Sequence, residues 1–98
     1  MNIGKVKEND TLTVSVEGRL DTVTAPKLDA ELQGALAGIK SLVFDFAKLA
    51  YISSAGLRIL LTAQKTMNKQ GSMVIRNADA GIKEIFCITG FCDILTIE

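Results

Sequence analysis

The run Tyr51-Ile52-Ser53-Ser54-Ala55-Gly56-Leu57-Arg58 sets two hydroxyls where a buried strand is expected to stop and an amphipathic helix to begin. The first turn of a helix leaves backbone N–H groups unpaired and carries the positive end of the macrodipole, so it suits a capping oxygen or an anion. Ser54 is the residue expected there. As a plain hydroxyl it would cap the helix for about 1 kcal/mol; carrying a phosphate, it would hold that group beside the same donors. Arg58 lies one turn on and shares its face, where a guanidinium meets a carboxylate or steadies a phosphate. Tyr51, the only tyrosine, is expected in the loop beside the hydroxyls, as a contact anchor or as filler over the sheet end. Asp21 is suited to an Asx turn, and Asp45, closing an apolar run, to accepting backbone N–H groups of the loop that follows.

A serine between strand and helix is also the setting of a hydrolase nucleophile, but the Gly-x-Ser-x-Gly elbow has Ile at position 52, and the chain contains no histidine to act as a base. Walker and dinucleotide glycine loops are missing too. These residues point to a protein acted on by enzymes, needing no cofactor of its own. Cys87 and Cys92 match neither a CxxC pair nor a zinc cluster and are expected to be partly buried thiols. Eleven basic and eleven acidic side chains cancel, which removes the bulk attraction that draws a protein to nucleic acid or an anionic membrane. Met1 to Asp10 has no apolar signal core, and no apolar run reaches the ~20 residues needed to span a bilayer, so a cytoplasmic protein is expected.

The elements that must position these groups fit in one domain of 98 residues. Thr11 to Glu17 alternates, with Leu12, Val14 and Val16 on one face, as a half-buried strand does; Ile3 and Val6 suggest a weaker strand before it. A first helix is expected from a cap at Thr24, with Pro26 in its opening turn and Leu28, Leu32 and Leu36 along one stripe, ending at Gly38. Ser41 to Phe46 reads as a central strand covered on both faces. After Ser54 the pattern turns helical, with Leu57, Leu60, Leu61, Ala63 and Met67 inward and Arg58, Thr62, Lys65 and Lys69 outward. Gly71 interrupts; Met73 to Ile75 supplies another strand, Asp79 caps a short helix that Gly90 stops, and Ile94 to Ile97 is expected as a last strand. Strands alternating with helices imply an α/β fold, a mixed sheet of about four to five strands packed by about three to four helices.

Asp45, Leu49, Ile52, Ser54, Gly56 and Leu57 stand in the spacing of STAS domains, and the whole chain resembles the bacterial anti-sigma factor antagonists of that family. Gly18-Arg19-Leu20-Asp21 is similar to the family's Gly-x-Leu-Asp motif, and Thr89-Gly90-Phe91 to its turn near the end. The resemblance implies that Ser54 matches the serine phosphorylated by a partner kinase. Antagonists often carry Asp directly before it; here that position is Ser53, which becomes a second candidate acceptor. Asp21 matches an acidic residue near that serine, where it would orient the hydroxyl or repel the phosphate. The implied partner surface comprises Asp21, Thr22, Val23, Thr24, Tyr51, Ser53, Ser54, Arg58 and Thr62. The implied partners are an anti-sigma factor that is itself a GHKL-type serine kinase, and a PP2C-type phosphatase. A different reading keeps the same domain as an unphosphorylated subunit beside an ABC transporter in lipid trafficking; a weaker one gives it nucleotide binding.

Overall fold

A computed structural model describes all residues from 1 to 98. Five strands and three α-helices follow one another as β1 (Asn2–Glu8), β2 (Thr11–Leu20), α1 (Ala25–Leu32), β3 (Ser41–Asp45), β4 (Leu49–Ile52), α2 (Ser54–Asn68), β5 (Ser72–Arg76) and α3 (Ala80–Ile88), with a 3-10 turn η1 at Phe91–Asp93. The sheet runs β1-β2-β3-β5, and β4 also pairs with β2. β1 is antiparallel to β2, while β2, β3, β4 and β5 are mutually parallel.

β3 and β4 lie along the same edge of β2, opposite Thr11 to Ser15 and opposite Gly18 to Leu20, so they form one strand interrupted at residues 46 to 48. A register shift at Gly18/Arg19, where Ala50 is skipped, puts a further irregularity within β4 itself. Phe46 turns into the core there, with its ring 5.7 Å from that of Phe44. β4 therefore leaves the sheet beside the end of β2, and the chain enters α2 one residue later.

Period two decides which side of the sheet is covered. Leu12, Val14 and Val16 of β2, Leu42 and Phe44 of β3 and Met73 and Ile75 of β5 share one core cluster with Leu28 of α1, Leu57 and Leu60 of α2 and Ile82 and Phe86 of α3. The helices thus cover one face. Val43 points to the other; it is buried between its register neighbours Thr13 and Val74 but stands outside the cluster. Leu42, Val43 and Phe44 are all buried, so the strand is covered on both faces as its sequence predicts.

Some boundaries differ from the sequence reading. α1 ends at Leu32 and not at Gly38, because Gly34 takes φ +75°, a left-handed conformation that stops a helix, and the next residues fold as tight turns. The expected last strand at Ile94 to Ile97 reduces to a single bridge between Ile97 and Ile75; Leu95 is buried instead. The cysteines are not thiols. Cys87 and Cys92 form a disulfide across the end of α3, with Cα atoms 4.8 Å apart, since Gly90 at φ +83° turns the chain back on the helix. No helix is long and apolar enough to cross a membrane.

Candidate functional site at the start of the second helix

Two adjacent serines meet different fates at the strand-to-helix junction. Ser53 has extended backbone angles and occupies the N-cap position, and Ser54 is the first helical residue. The expectation that Ser54 caps the helix is therefore corrected by one position. Ser53 does not cap with its side chain either: its Oγ is buried and has no hydrogen-bond partner. Its backbone holds the junction, the N–H donating to Leu20 O at 2.9 Å and the carbonyl accepting from Leu57 N at 3.0 Å. Ser54 is exposed, and Arg58 is exposed on the same face.

The close approach of α2 to the sheet explains this geometry. A Cβ on buried Gly56 would stand 2.7 Å from Leu20 Cγ and 2.9 Å from Ile52 Cγ1, so only glycine lets the first turn of α2 lie on the ends of β2 and β4. That turn carries no acidic side chain to occupy its unpaired donors.

Beside the junction, Asp21 organises the entry to α1. Its Oδ1 accepts Val23 N–H at 3.0 Å and Thr24 N–H at 3.1 Å, the Asx arrangement expected from sequence. Thr24, expected as the helix cap, has α-helical backbone angles and makes no cap bond with its side chain; its Oγ1 accepts Asp21 N–H at 2.8 Å and donates to Arg19 O at 2.7 Å. The helical turn begins earlier, since Ala25 N–H already donates to Asp21 O at 2.8 Å. The Thr24 N–H, followed by the Thr24 hydroxyl, the Val23 N–H and the Arg19 charge, holds the Asp21 carboxyl below the ordinary carboxylate range, against a smaller opposing effect of desolvation. Every hydrogen bond of this carboxylate stays within its own turn, so it does not orient the Ser54 hydroxyl.

Arg19 links this loop to Tyr51. Arg19 and Tyr51 are paired across β2 and β4, the guanidinium lies 4.3 Å from the ring centroid, and its Nε stands 3.6 Å from Asp21 Oδ2. Such a stack at an exposed site contributes about 0.5–1 kcal/mol. Tyr51 is 37% exposed and Val23 79% exposed, and Thr22 is exposed between Val23 and Asp21. Sequence reasoning named Tyr51 but missed Arg19; the signal was register, which only the pairing of β2 with β4 supplies. Thr62 stands apart from the junction: it donates to Arg58 O at 3.1 Å and lines, with Leu32, Leu36, Ile59 and Ala63, a cavity of about 290 Å³ between α1 and α2. Asp45 is structural as expected, accepting Ala47 N–H at 3.0 Å and Asn77 Nδ2 at 3.1 Å.

The family model described as "STAS domain" matches residues 2–98. This chain belongs to the STAS domain family. It is similar to the anti-sigma-B factor antagonist of Listeria monocytogenes, 33% identical over 105 residues covering 100% of this chain and 90% of that protein. It is likewise similar to the anti-sigma-B factor antagonist of Bacillus subtilis, 32% identical over 102 residues covering 100% of this chain and 93% of that one. Among solved structures, the anti-sigma factor antagonist SpoIIAA in its unphosphorylated form superposes with a TM-score of 0.78 at 14% identity, covering 99% of this chain and 87% of that chain. The Bacillus SpoIIAA in its phosphorylated form gives 0.76 at 15% identity, covering 99% and 91%. At these identities the superpositions speak for the fold.

Proposed function

We propose that this chain is an anti-sigma factor antagonist, a protein-binding module of the bacterial cytoplasm switched by a phosphate on Ser54. Unmodified, the surface formed by Asp21 to Thr24, Tyr51, Ser54 and Arg58 docks onto an anti-sigma factor and frees the sigma factor it held. That anti-sigma factor, a GHKL-type serine kinase, phosphorylates Ser54 and dissociates; a PP2C-type phosphatase restores the hydroxyl. The chain itself acts by binding and catalyses nothing. The observation that carries this reading is the contrast at the junction: the Ser54 hydroxyl lies open at the first position of α2 while the neighbouring Ser53 oxygen is buried.

The physics of the switch is local. A phosphoserine brings about −1.5 to −2 charges and three strong acceptor oxygens. At the start of α2 these meet unpaired backbone donors and the positive end of the dipole, so the free protein tolerates them. A partner surface matched to a neutral hydroxyl does not. The ionised Asp21, at the neighbouring strand end, adds charge of the same sign. A penalty of ~3 to 4 kcal/mol weakens the complex by two to three orders of magnitude, which suffices to release it. No refolding is needed. In support, the unphosphorylated and phosphorylated SpoIIAA structures match this chain almost equally well. The transporter-subunit reading is not favoured, since the similar proteins are named as antagonists.

Incubation of the chain with a cognate kinase and ATP, followed by peptide mass spectrometry, tests the acceptor. Phosphate on Ser54 is the expected result; phosphate on Ser53, or none, contradicts the reading.

A further inference from the structure

Cys87 and Cys92 play no part in the function proposed above, and what their bond does follows from three observations. The fold does not depend on it: Cys87 is exposed, Cys92 only packs against the rim of the core, and the surrounding chain is anchored independently by buried Ile82, Phe86 and Leu95. The bond is reachable, because Cys87 stands on the outer side of the last turn of α3, where a small thiol can approach its sulfur. It also closes a ring with a sequence separation of only 5 residues, and the chain leaving that ring is what covers β5.

That cover consists of a few contacts. Ile75 N–H donates to Thr96 O at 2.9 Å, Glu98 N–H donates to Ile75 O at 2.8 Å, and Arg76 Nε pairs with Glu98 Oε1 at 2.7 Å, the last between half-exposed side chains. β5 is the terminal strand of the sheet order, so these contacts occupy an edge that would otherwise present unpaired backbone groups. The direction in which Thr96 to Glu98 approach that edge is set by the turn at Gly90 and η1, which the disulfide fastens to α3.

We propose that Cys87–Cys92 is a thiol–disulfide exchange site, opened by a low-molecular-weight thiol, whose state sets how firmly the C-terminal segment covers the edge of β5. A thiolate attacks Cys87 Sγ, the bond to Cys92 breaks, and Cys92 departs as a thiolate that takes up a proton. A second thiolate then attacks the reductant's sulfur in the mixed disulfide and releases Cys87, which is protonated in turn. Two reductant thiols become one disulfide, and two electrons pass to the protein; a low-molecular-weight disulfide drives the same steps backwards. In a reducing compartment an exposed bond of this kind persists only transiently, as a redox-responsive site. With the ring open, the turn through η1 is held to α3 by the Gly90 N–H bond to Cys87 O at 3.2 Å and by the packing of Phe91 and Leu95 on the core, and the tail beyond it opens more often.

The test equilibrates the whole chain with mixtures of reduced and oxidised glutathione, traps free thiols by alkylation for intact mass, and follows amide hydrogen exchange in each form. The expected result is two alkylated sulfurs at millimolar reduced glutathione, an unchanged far-UV circular dichroism spectrum, and exchange of the Ile75 and Glu98 amides that is about tenfold faster, with Leu42 and Phe44 unaffected. The Cys87→Ser/Cys92→Ser variant should reproduce the reduced form. A bond that resists millimolar glutathione, cysteines that stay free in oxidised glutathione, unaltered exchange at Ile75 and Glu98, or global unfolding of the reduced wild-type chain each overturns the proposal. None of these readouts involves Ser54, so this inference and the phosphorylation switch fail independently.

Discussion

At the residue scale, neighbouring serines are separated by what surrounds their oxygens. Ser53 supplies backbone to the junction and hides its hydroxyl; Ser54 supplies little packing and shows its hydroxyl to solvent. An N-cap serine ordinarily loses about 1 kcal/mol on mutation to alanine because a cap bond is lost. No such bond exists at Ser53, so Ser53→Ala is expected to change stability by less than about 0.5 kcal/mol in urea titration, and a loss above ~1 kcal/mol would show that the hydroxyl does cap in solution. Asp21 behaves differently. Its carboxyl is held below the ordinary range in the folded chain, so its contribution to stability is complete above the unfolded carboxylate value of about 3.9 and is lost as pH falls through the lower folded value. An acid titration by circular dichroism is expected to show Asp21→Asn losing less stability than the wild type below about pH 4, and parallel curves would contradict the role given to the Thr24 and Val23 N–H groups. The general site was legible in sequence because hydroxyls, glycine and an apolar period coincide between Ile52 and Leu57. Ser54 on the polar side was legible as well, but which serine takes the cap position was not, since a shift of one residue at a helix start leaves that period unchanged.

At the element scale, the approach of α2 to the ends of β2 and β4 is what makes the junction. Gly56→Ala forces a methyl group against Leu20, which is fully buried, and overpacking of this kind costs ~1–3 kcal/mol. Thermal unfolding is expected to show that loss together with weaker partner binding, because α2 must tilt or slide to admit the methyl; unchanged stability would mean that Leu20 yields freely. Long, strongly patterned elements were readable: β2 by alternation, α2 by its apolar stripe, and α3 by the Asp79 cap, whose carboxylate accepts Ile82 N–H at 2.8 Å. β4 was not read as a strand of its own, because Leu49–Ile52 is short and its buried-exposed-exposed-buried pattern matches no strand period. Its existence depends on the distant residues Gly18 to Leu20. The disulfide was missed for a related reason: Cys87 and Cys92 share no helix face, and only the left-handed turn at Gly90 brings them together.

At the scale of the whole molecule, one core cluster of 23 buried residues ties all three helices to the sheet, and the site sits at its edge. A phosphate placed there touches none of that core. Amide exchange of core residues such as Val14, Leu42 and Phe44 is therefore expected to be the same before and after phosphorylation, with changes confined to Asp21–Thr24 and the first turn of α2; a global slowing or quickening would mean that the switch works by refolding. A zero formal net charge has a further consequence. Recognition has to come from the shape and charge of one patch, so a single modification there can decide whether the complex forms.

The most direct test is the dissociation constant for a cognate anti-sigma factor, measured by calorimetry with the unmodified chain, the Ser54-phosphorylated chain, Ser54→Ala and Ser54→Glu. The unmodified chain and Ser54→Ala are expected to bind alike, and the phosphorylated chain at least about 100-fold more weakly, with Ser54→Glu also impaired. Equal affinity of the unmodified and phosphorylated chains would contradict the account.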